Sequence, residues 1–345
     1  LAILVGLTGM GAEHAAADEE VAAFYRGKTL TMIVGTAPGA AYDVVARTVM
    51  QHMARHIPGQ PSVVIQNMPG AASLIMVNHL YNRAPRDGSA MGLALSSILL
   101  EQRLQVYTGT GSNVQFDLAR IEWVGSPARQ PNVMWTWVTT PIKTFADLRA
   151  APSRFGATSP SADSAVIPAL ANRLLGTRIG AITGYKAIAD IFVAAERGEI
   201  DGNATPLSSL TGGRPDDFRA GKMRILAQFG TARHALLKDV PTGLELSPDD
   251  QARRILDLFA LKFEATFPMM LPPHVPPGRV QALRKAFAET MQDEAFRSQA
   301  ARSGFDPDPM SGEEIVTLIG KIGAADDASV AAIADTIKPA GAAKK

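Results

Sequence analysis

The 345-residue sequence contains no cysteine. That absence removes thiolate nucleophiles, Cys-bearing metal sites and disulfides together. Charge of one sign is missing as well: 34 Lys and Arg against 33 Asp and Glu leave a formal net charge of +1. There is no run of five or more basic residues. Nothing therefore supplies the field that steers a nucleic acid, and no nucleic-acid partner is expected. Low-complexity tracts of the kind that accompany disorder are absent. After the N-terminal run, no segment is apolar over the ~20 residues that a membrane helix needs. Signatures of catalysis are missing too. No Gly-x-Ser-x-Gly elbow places a serine nucleophile. Gly27-Lys28-Thr29 imitates the end of a phosphate loop, but the glycine required five positions earlier is Ala22. His52 and His56 enclose Met53-Ala54-Arg55 rather than the Glu of a zinc hydrolase, and are expected on a solvated helix face. The expectation is a protein with no catalytic residue, no metal and no cofactor, and not an enzyme.

What is present describes an exported globular protein. The hydrophobic fraction is 46% and the charged fraction 19%, and the length suffices for two lobes with separate cores. An apolar run over 1–12 is followed by Ala15-Ala16-Ala17 and then Asp18-Glu19-Glu20. This reads as the core and small-residue cleavage region of a secretory signal over 1–17, without its basic start. A periplasmic location for the mature chain follows from it.

Beyond the signal, apolar runs alternate with helical periods. Strands are expected at 30–34, 62–66, 91–95, 133–139, 155–158, 179–182 and 223–229. Helices are expected at 43–56, 73–82, 164–175, 187–197, 249–259, 279–292, 295–303 and 313–322. Thr144, with Asp147 three residues on, caps a further helix. Strand, turn and helix in repetition predict a largely parallel sheet covered on both faces, with ligands at the edge where helices begin.

Two turns carry the chemistry. Pro38-Gly39-Ala40-Ala41-Tyr42-Asp43 joins the first strand to the first helix, and Asn67-Met68-Pro69-Gly70-Ala71-Ala72 repeats the design after the second strand. Small residues admit a ligand to the backbone, and N–H groups at a helix start carry partial positive charge. Such turns bind a carboxylate without Arg or Lys; taken from the residues alone, the pair reads first as ordinary tight turns and second as such a site.

Here the sequence resembles a known family. The segment 24–47, through Thr31-Met32-Ile33-Val34 and Pro38-Gly39-Ala40-Ala41-Tyr42-Asp43, is similar to the opening of the tripartite tricarboxylate transporter solute-binding receptors, the Bug or TctC family. Val64-Ile65-Gln66-Asn67-Met68-Pro69-Gly70-Ala71-Ala72 resembles the second signature of that family. Ala84-Pro85-Arg86-Asp87-Gly88, Phe155-Gly156-Ala157-Thr158-Ser159, Gly184-Tyr185-Lys186, Gly198-Glu199-Ile200-Asp201-Gly202, 220–227 and Asp239-Val240-Pro241-Thr242 follow in family order. The resemblance spans about residues 24–335 and implies a type II periplasmic binding protein fold, two α/β lobes joined by a hinge. Lobe 1 is expected at 24–125 plus 263–345, and lobe 2 at 126–262. It also implies a monomeric receptor that captures a small carboxylate between the lobes and delivers it to tripartite tricarboxylate-type permease subunits. The alternative is a sensor that presents the ligand to a signalling partner without a permease.

The departures narrow the ligand. Ala40, Ala41 and Tyr42 stand where the family has Gly-Gly-Thr, Met68 stands for Arg, and Ala72-Ser73 replaces paired glycines. A more apolar, more aromatic pocket is expected, favouring a monocarboxylate or aromatic carboxylate over a tricarboxylate. Asp43 either caps its helix or accepts a hydrogen bond from the ligand. In the second lobe Ser159, Ser161, Asp163 and Ser164 are candidates for the far end of the ligand, with helix capping as the equal alternative for Ser161 or Asp163. Tyr185 lines the cleft or packs in the core. Trp135 and Trp137 share one strand face and are expected to pack within the lobe.

Overall fold

The computed structural model describes residues 18–104 and 114–337; the expected signal, 1–17, lies outside them. The strands are β1 (Thr29–Val34), β2 (Ser62–Asn67), β3 (Ala90–Leu93), β4 (Glu122–Ser126), β5 (Asn132–Trp137) and β6 (Ser153–Ala157). They continue as β7 (Ile179–Thr183), β8 (Gly202–Pro206), β9 (Met223–Phe229), β10 (Met269–Leu271) and β11 (Met310–Ser311). The helices used below are α1 (Ala41–Met53), α2 (Leu74–Arg83), α3 (Phe145–Ala150), α4 (Asp163–Leu175) and α5 (Ile188–Glu196). To these add α6 (Asp250–Ala260), α7 (Pro277–Gln292), α8 (Glu294–Arg302) and α9 (Asp327–Ile337).

The chain divides into two compact units. Residues 18–98, 114–127 and Phe267–Ile319 form the first; 99–104, Ala128–Thr266 and 320–337 form the second. This partition differs from the expected lobes at both ends of the second unit. Arg103 donates to the Ala325 carbonyl (2.8 Å) and pairs with Asp327. Arg173 of α4 donates to the Ala332 carbonyl of α9 (2.9 Å), so the C-terminal helix belongs with α4 and α6. Helical period alone cannot say which sheet a helix will cover.

The first unit holds a sheet of order β11-β4-β10-β3-β1-β2, with β2 and β3 parallel to β1 and β10 antiparallel to β3 and β4. The second holds β7-β6-β8-β5-β9, with β7 and β8 parallel to β6 and β5 antiparallel to both its neighbours. The expected parallel arrangement therefore describes β1–β3 and β6–β8. Three strands are reversed, β10 and β11 in the first sheet and β5 in the second; β10 and β5 each follow directly on a crossing of the chain between units.

Local chemistry explains the elements. Central β1 buries Leu30, Met32, Ile33 and Val34 on both faces, as a parallel strand covered by helices should. Edge strand β2 alternates exposed and half-buried positions. The Thr144 hydroxyl accepts from the Asp147 N–H (3.3 Å) and the Asp147 carboxylate from the Thr144 N–H (2.8 Å), closing the expected capping box before α3. Trp135 stacks on Phe192 of α5 (5.2 Å between centroids) and shares a core cluster with Trp137. The histidine pair corrects its expectation. His52 is only 6% exposed and bonds Gln299 of α8 (2.7 Å), while His56 lies 3.1 Å from Asp293. Arg55 also pairs with Asp293, and its hydrogen bond is the main reason that carboxyl sits well below the ordinary range. The two rings staple α1 to the helices at 277–302, because that face turned out to be covered. Among the described residues no group of three His, Asp or Glu is placed to hold a metal.

Candidate functional site

Parallel pairing sets Val34 opposite Asn67 and opposite Leu93. The turns that follow β1, β2 and β3 therefore leave the same edge of the first sheet. The Met68 N–H donates to the Val34 carbonyl (2.8 Å) and the Gly35 N–H to the Leu93 carbonyl (2.9 Å). In the first turn Pro38, Gly39 and Ala41 are exposed and Ala40 and Tyr42 half-buried; in the second Pro69 is exposed and Asn67, Gly70, Ala71 and Ala72 half-buried. The Tyr42 ring packs edge-on against Phe267 (4.8 Å). The N-termini of α1 and α2 thus open at one edge, where N–H groups without intrahelical partners favour negative charge.

Asp43 joins the two turns. It is 2% exposed. Its Oδ2 accepts from the Gly39 N–H (2.8 Å) and from Nε of Arg47 (2.9 Å), and its Oδ1 accepts from Nδ2 of Asn67 (2.9 Å). The same Asn67 amide donates to the Thr36 carbonyl (2.9 Å), and Arg47 reaches the Asn67 Oδ1 (3.3 Å). The expected capping role is corrected: Ala40 occupies the cap position, and Asp43, in the first turn of α1, instead reaches back to the N–H of Gly39, the residue before the cap. Burial pushes the Asp43 carboxyl up, but the bonds from Arg47, Gly39 and Asn67 outweigh burial and hold it below its ordinary value.

The second turn is left-handed. Gly70 has φ +136°, and Ala71, Ala72 and Ser73 follow at +44°, +51° and +74°. Ala72 and Ser73 are the positions where the resemblance expects glycines, which explains that preference: the backbone there takes a shape that L side chains disfavour. Two groups at this edge escaped the sequence reading. Thr36 has a buried Oγ1 without a hydrogen-bond partner, and Arg47 braces both turns. The spacing of Asp43 and Arg47, four apart on a helix, was a usable signal; nothing local marks Thr36.

The profile of the tripartite tricarboxylate transporter family receptor matches residues 45–332. The chain belongs to this receptor family. No curated protein matches its sequence. Among solved structures it is similar to a TctC solute-binding protein from Polaromonas without ligand, at 16% identity and TM-score 0.67, covering 91% of this chain and 99% of that one. It is similar to an R. palustris protein with adipate, at 21% identity and TM-score 0.64, covering 90% and 97%. A third is MatC of Rhodopseudomonas palustris with bound malate, at 16% identity and TM-score 0.62, covering 90% and 99%. At these identities the likenesses establish the receptor fold, with its two α/β lobes, and nothing finer.

In the second unit of the receptor the candidates separate by environment. Ser161 is exposed and Ser159 half-buried on the loop after β6, their hydroxyls 3.5 Å apart. Ser164 is buried and accepts from the Thr158 N–H (3.3 Å). Asp163 opens α4 and pairs with Nζ of Lys262 (2.5 Å). Tyr185 packs, partly buried, against the Trp135–Phe192 core cluster. Lys262, 3% exposed with its ammonium 4.0 Å from the Phe259 ring centre, is the residue the sequence reading missed here. Among the described residues no helix is long and apolar enough to cross a membrane.

Proposed function

We propose that this receptor is exported to the periplasm, captures a small carboxylate on the turns at 38–43 and 67–72, and delivers it to a tripartite tricarboxylate-type permease. The observation that carries the reading is the Asp43–Asn67 bond, which sets two small-residue turns and two helix starts side by side. Relatives holding adipate and malate support a carboxylate as the ligand class. The exposed residues Pro38, Gly39 and Ala41 form the contact surface, with half-buried Ala40, Ala71 and Ala72 beside them; Asp43 shapes it from within and engages the Gly39 N–H. Within the second unit, half-buried Ser159 and exposed Ser161 on the loop after β6 are proposed as ligand-binding groups.

Met68 in place of Arg, and the Tyr42–Phe267 pair beside the first turn, point to a monocarboxylate or aromatic carboxylate rather than a tricarboxylate. Fewer cations at the edge leave additional carboxylates without partners, and an unpaired buried charge is costly. Calorimetric titration with benzoate, adipate and citrate tests this. Benzoate is expected to bind more tightly than citrate, with the dicarboxylate adipate between them; tighter citrate binding would overturn the preference, and no binding by any of the three would overturn the carboxylate assignment.

A further inference from the structure

We propose that Ser73 is a positioning residue for carboxylate capture: its hydroxyl clasps three loops of the first unit into the arrangement that meets the ligand. The inference rests on the functional reading above and adds a residue that acts on the site without touching its cargo.

Ser73 has no solvent exposure. Its Oγ donates to the Gly35 carbonyl (3.0 Å) and accepts from the Leu95 N–H (3.0 Å). Gly35 begins the loop after β1, Leu95 lies in the loop after β3, and Ser73 itself sits between β2 and α2. One hydroxyl thus spans all three loops at the candidate edge. A hydroxyl has a single proton, and here it goes to Gly35. Ser73 has none left to offer a ligand, so its part is played through its neighbours.

The fit is specific on both sides. A Cβ added at Gly35 would lie 2.3 Å from the Ser73 Oγ, so only glycine leaves room for the hydroxyl. Ser73 adopts φ +74° as the third consecutive non-glycine residue in the left-handed region. L residues resist that region, and a run of them persists only where the surroundings over-determine it. The clasp is such a determinant. Glycine at 73 would take the same backbone shape with less strain and would hold nothing. The amides of the second turn and of the α2 start follow directly from this left-handed turn. Releasing it redirects the donors that the carboxylate needs, while Asp43 and Asn67 continue to join the first two loops from their other side.

Two variants separate positioning from bulk stability. Ser73→Gly removes the clasp but suits the backbone, so the fold survives; Ser73→Ala removes the clasp and keeps the strain, and is the less stable of the two. The first measurement is amide hydrogen exchange in the ligand-free protein. Exchange at Leu95 is expected to be about ten-fold faster in Ser73→Gly, because that N–H loses its acceptor. The second is calorimetric titration with benzoate and adipate well below the Tm. The dissociation constant of whichever binds the wild type is expected to rise by about ten-fold in Ser73→Gly, equivalent to one hydrogen bond's worth of ordering. Unchanged exchange at Leu95 would show that no clasp exists. Faster exchange with an unchanged dissociation constant would reduce Ser73 to a packing role. If the wild type binds neither probe nor citrate, the carboxylate reading fails first and the inference fails with it, an outcome distinct from the other two.

Discussion

The order β2-β1-β3-β10-β4 in the first sheet and β7-β6-β8-β5-β9 in the second put a reversed strand in the same place, fourth from the edge. In each, the second strand of that order feeds a loop and then a thirteen-residue helix, α1 or α4. Each helix carries an acidic residue in its first turn, Asp43 or Asp163, and the two are used differently. Asp43 is buried and bonded to a backbone amide, to Arg47 and to Asn67 of the neighbouring loop. Asp163, with a third of its side chain exposed, is bonded to the buried ammonium of Lys262, which lies against the rings of Phe259 and Phe263. In the first unit a carboxylate fastens two loops to each other at the candidate edge. In the second it fastens α4 to the segment Leu261–Ala265, just before the chain leaves the unit. The same topology thus yields one edge whose loops are joined to each other and another anchored to its own interior.

The largest effect is expected at Asp163. Asp163→Ala strands the buried Lys262 charge and should destabilise by about 3 kcal/mol in chemical denaturation, with Lys262→Met in the same background restoring most of it. A loss below about 0.5 kcal/mol would class the pair with ordinary surface ion pairs and erase the contrast. Next in size is Asp43→Asn. An amide in place of the carboxylate turns an NH2 group toward a donor, and a loss of about 2 kcal/mol is expected together with weaker carboxylate binding. Undiminished binding in a destabilised Asp43→Asn would separate the loop fastening from the site.

The folded Asp43 carboxyl titrates below its ordinary value. The unfolded chain therefore takes up this proton first as pH falls, so the Asp43 contribution is complete at neutral pH and is lost through and below about pH 4. The stability gap between wild type and Asp43→Asn should close in that window and stay constant from pH 6 to 8; a gap that widens on acidification would contradict the assignment. Smallest is Ala72→Gly. Relief of φ +51° outweighs the extra freedom glycine gives the unfolded chain, for a net gain of up to about 1 kcal/mol. Destabilisation by this change would show that the Ala72 methyl contributes packing that the left-handed turn requires.

Much of this was legible beforehand because it is local. Pro38-Gly39 and Asn67 through Gly70 mark turns by their own conformational preferences, and β1, β6 and β9 announce themselves by apolar runs. Strand β8 did not: Gly-Asn-Ala-Thr-Pro is polar by composition, yet Gly202, Asn203, Ala204 and Thr205 are all buried between β6 and β5. Strand β10 is too short, and follows a proline too closely, to show a period. The solvated face expected for His52 failed because α8 covers it, and no pattern inside α1 reveals a partner 247 positions away.

The turn chemistry, most of the elements, the family and the absence of thiol chemistry all follow from residue identity or from spacing within a few positions. Only the tertiary structure decided which donor each acid would meet: Asn67 for Asp43, 24 residues on, and Lys262 for Asp163, 99 residues on. It also decided that Ser73 would join Gly35 to Leu95. The reason is that burial and pairing set what a charge or hydroxyl does, and both come from contacts that chain periodicity does not encode.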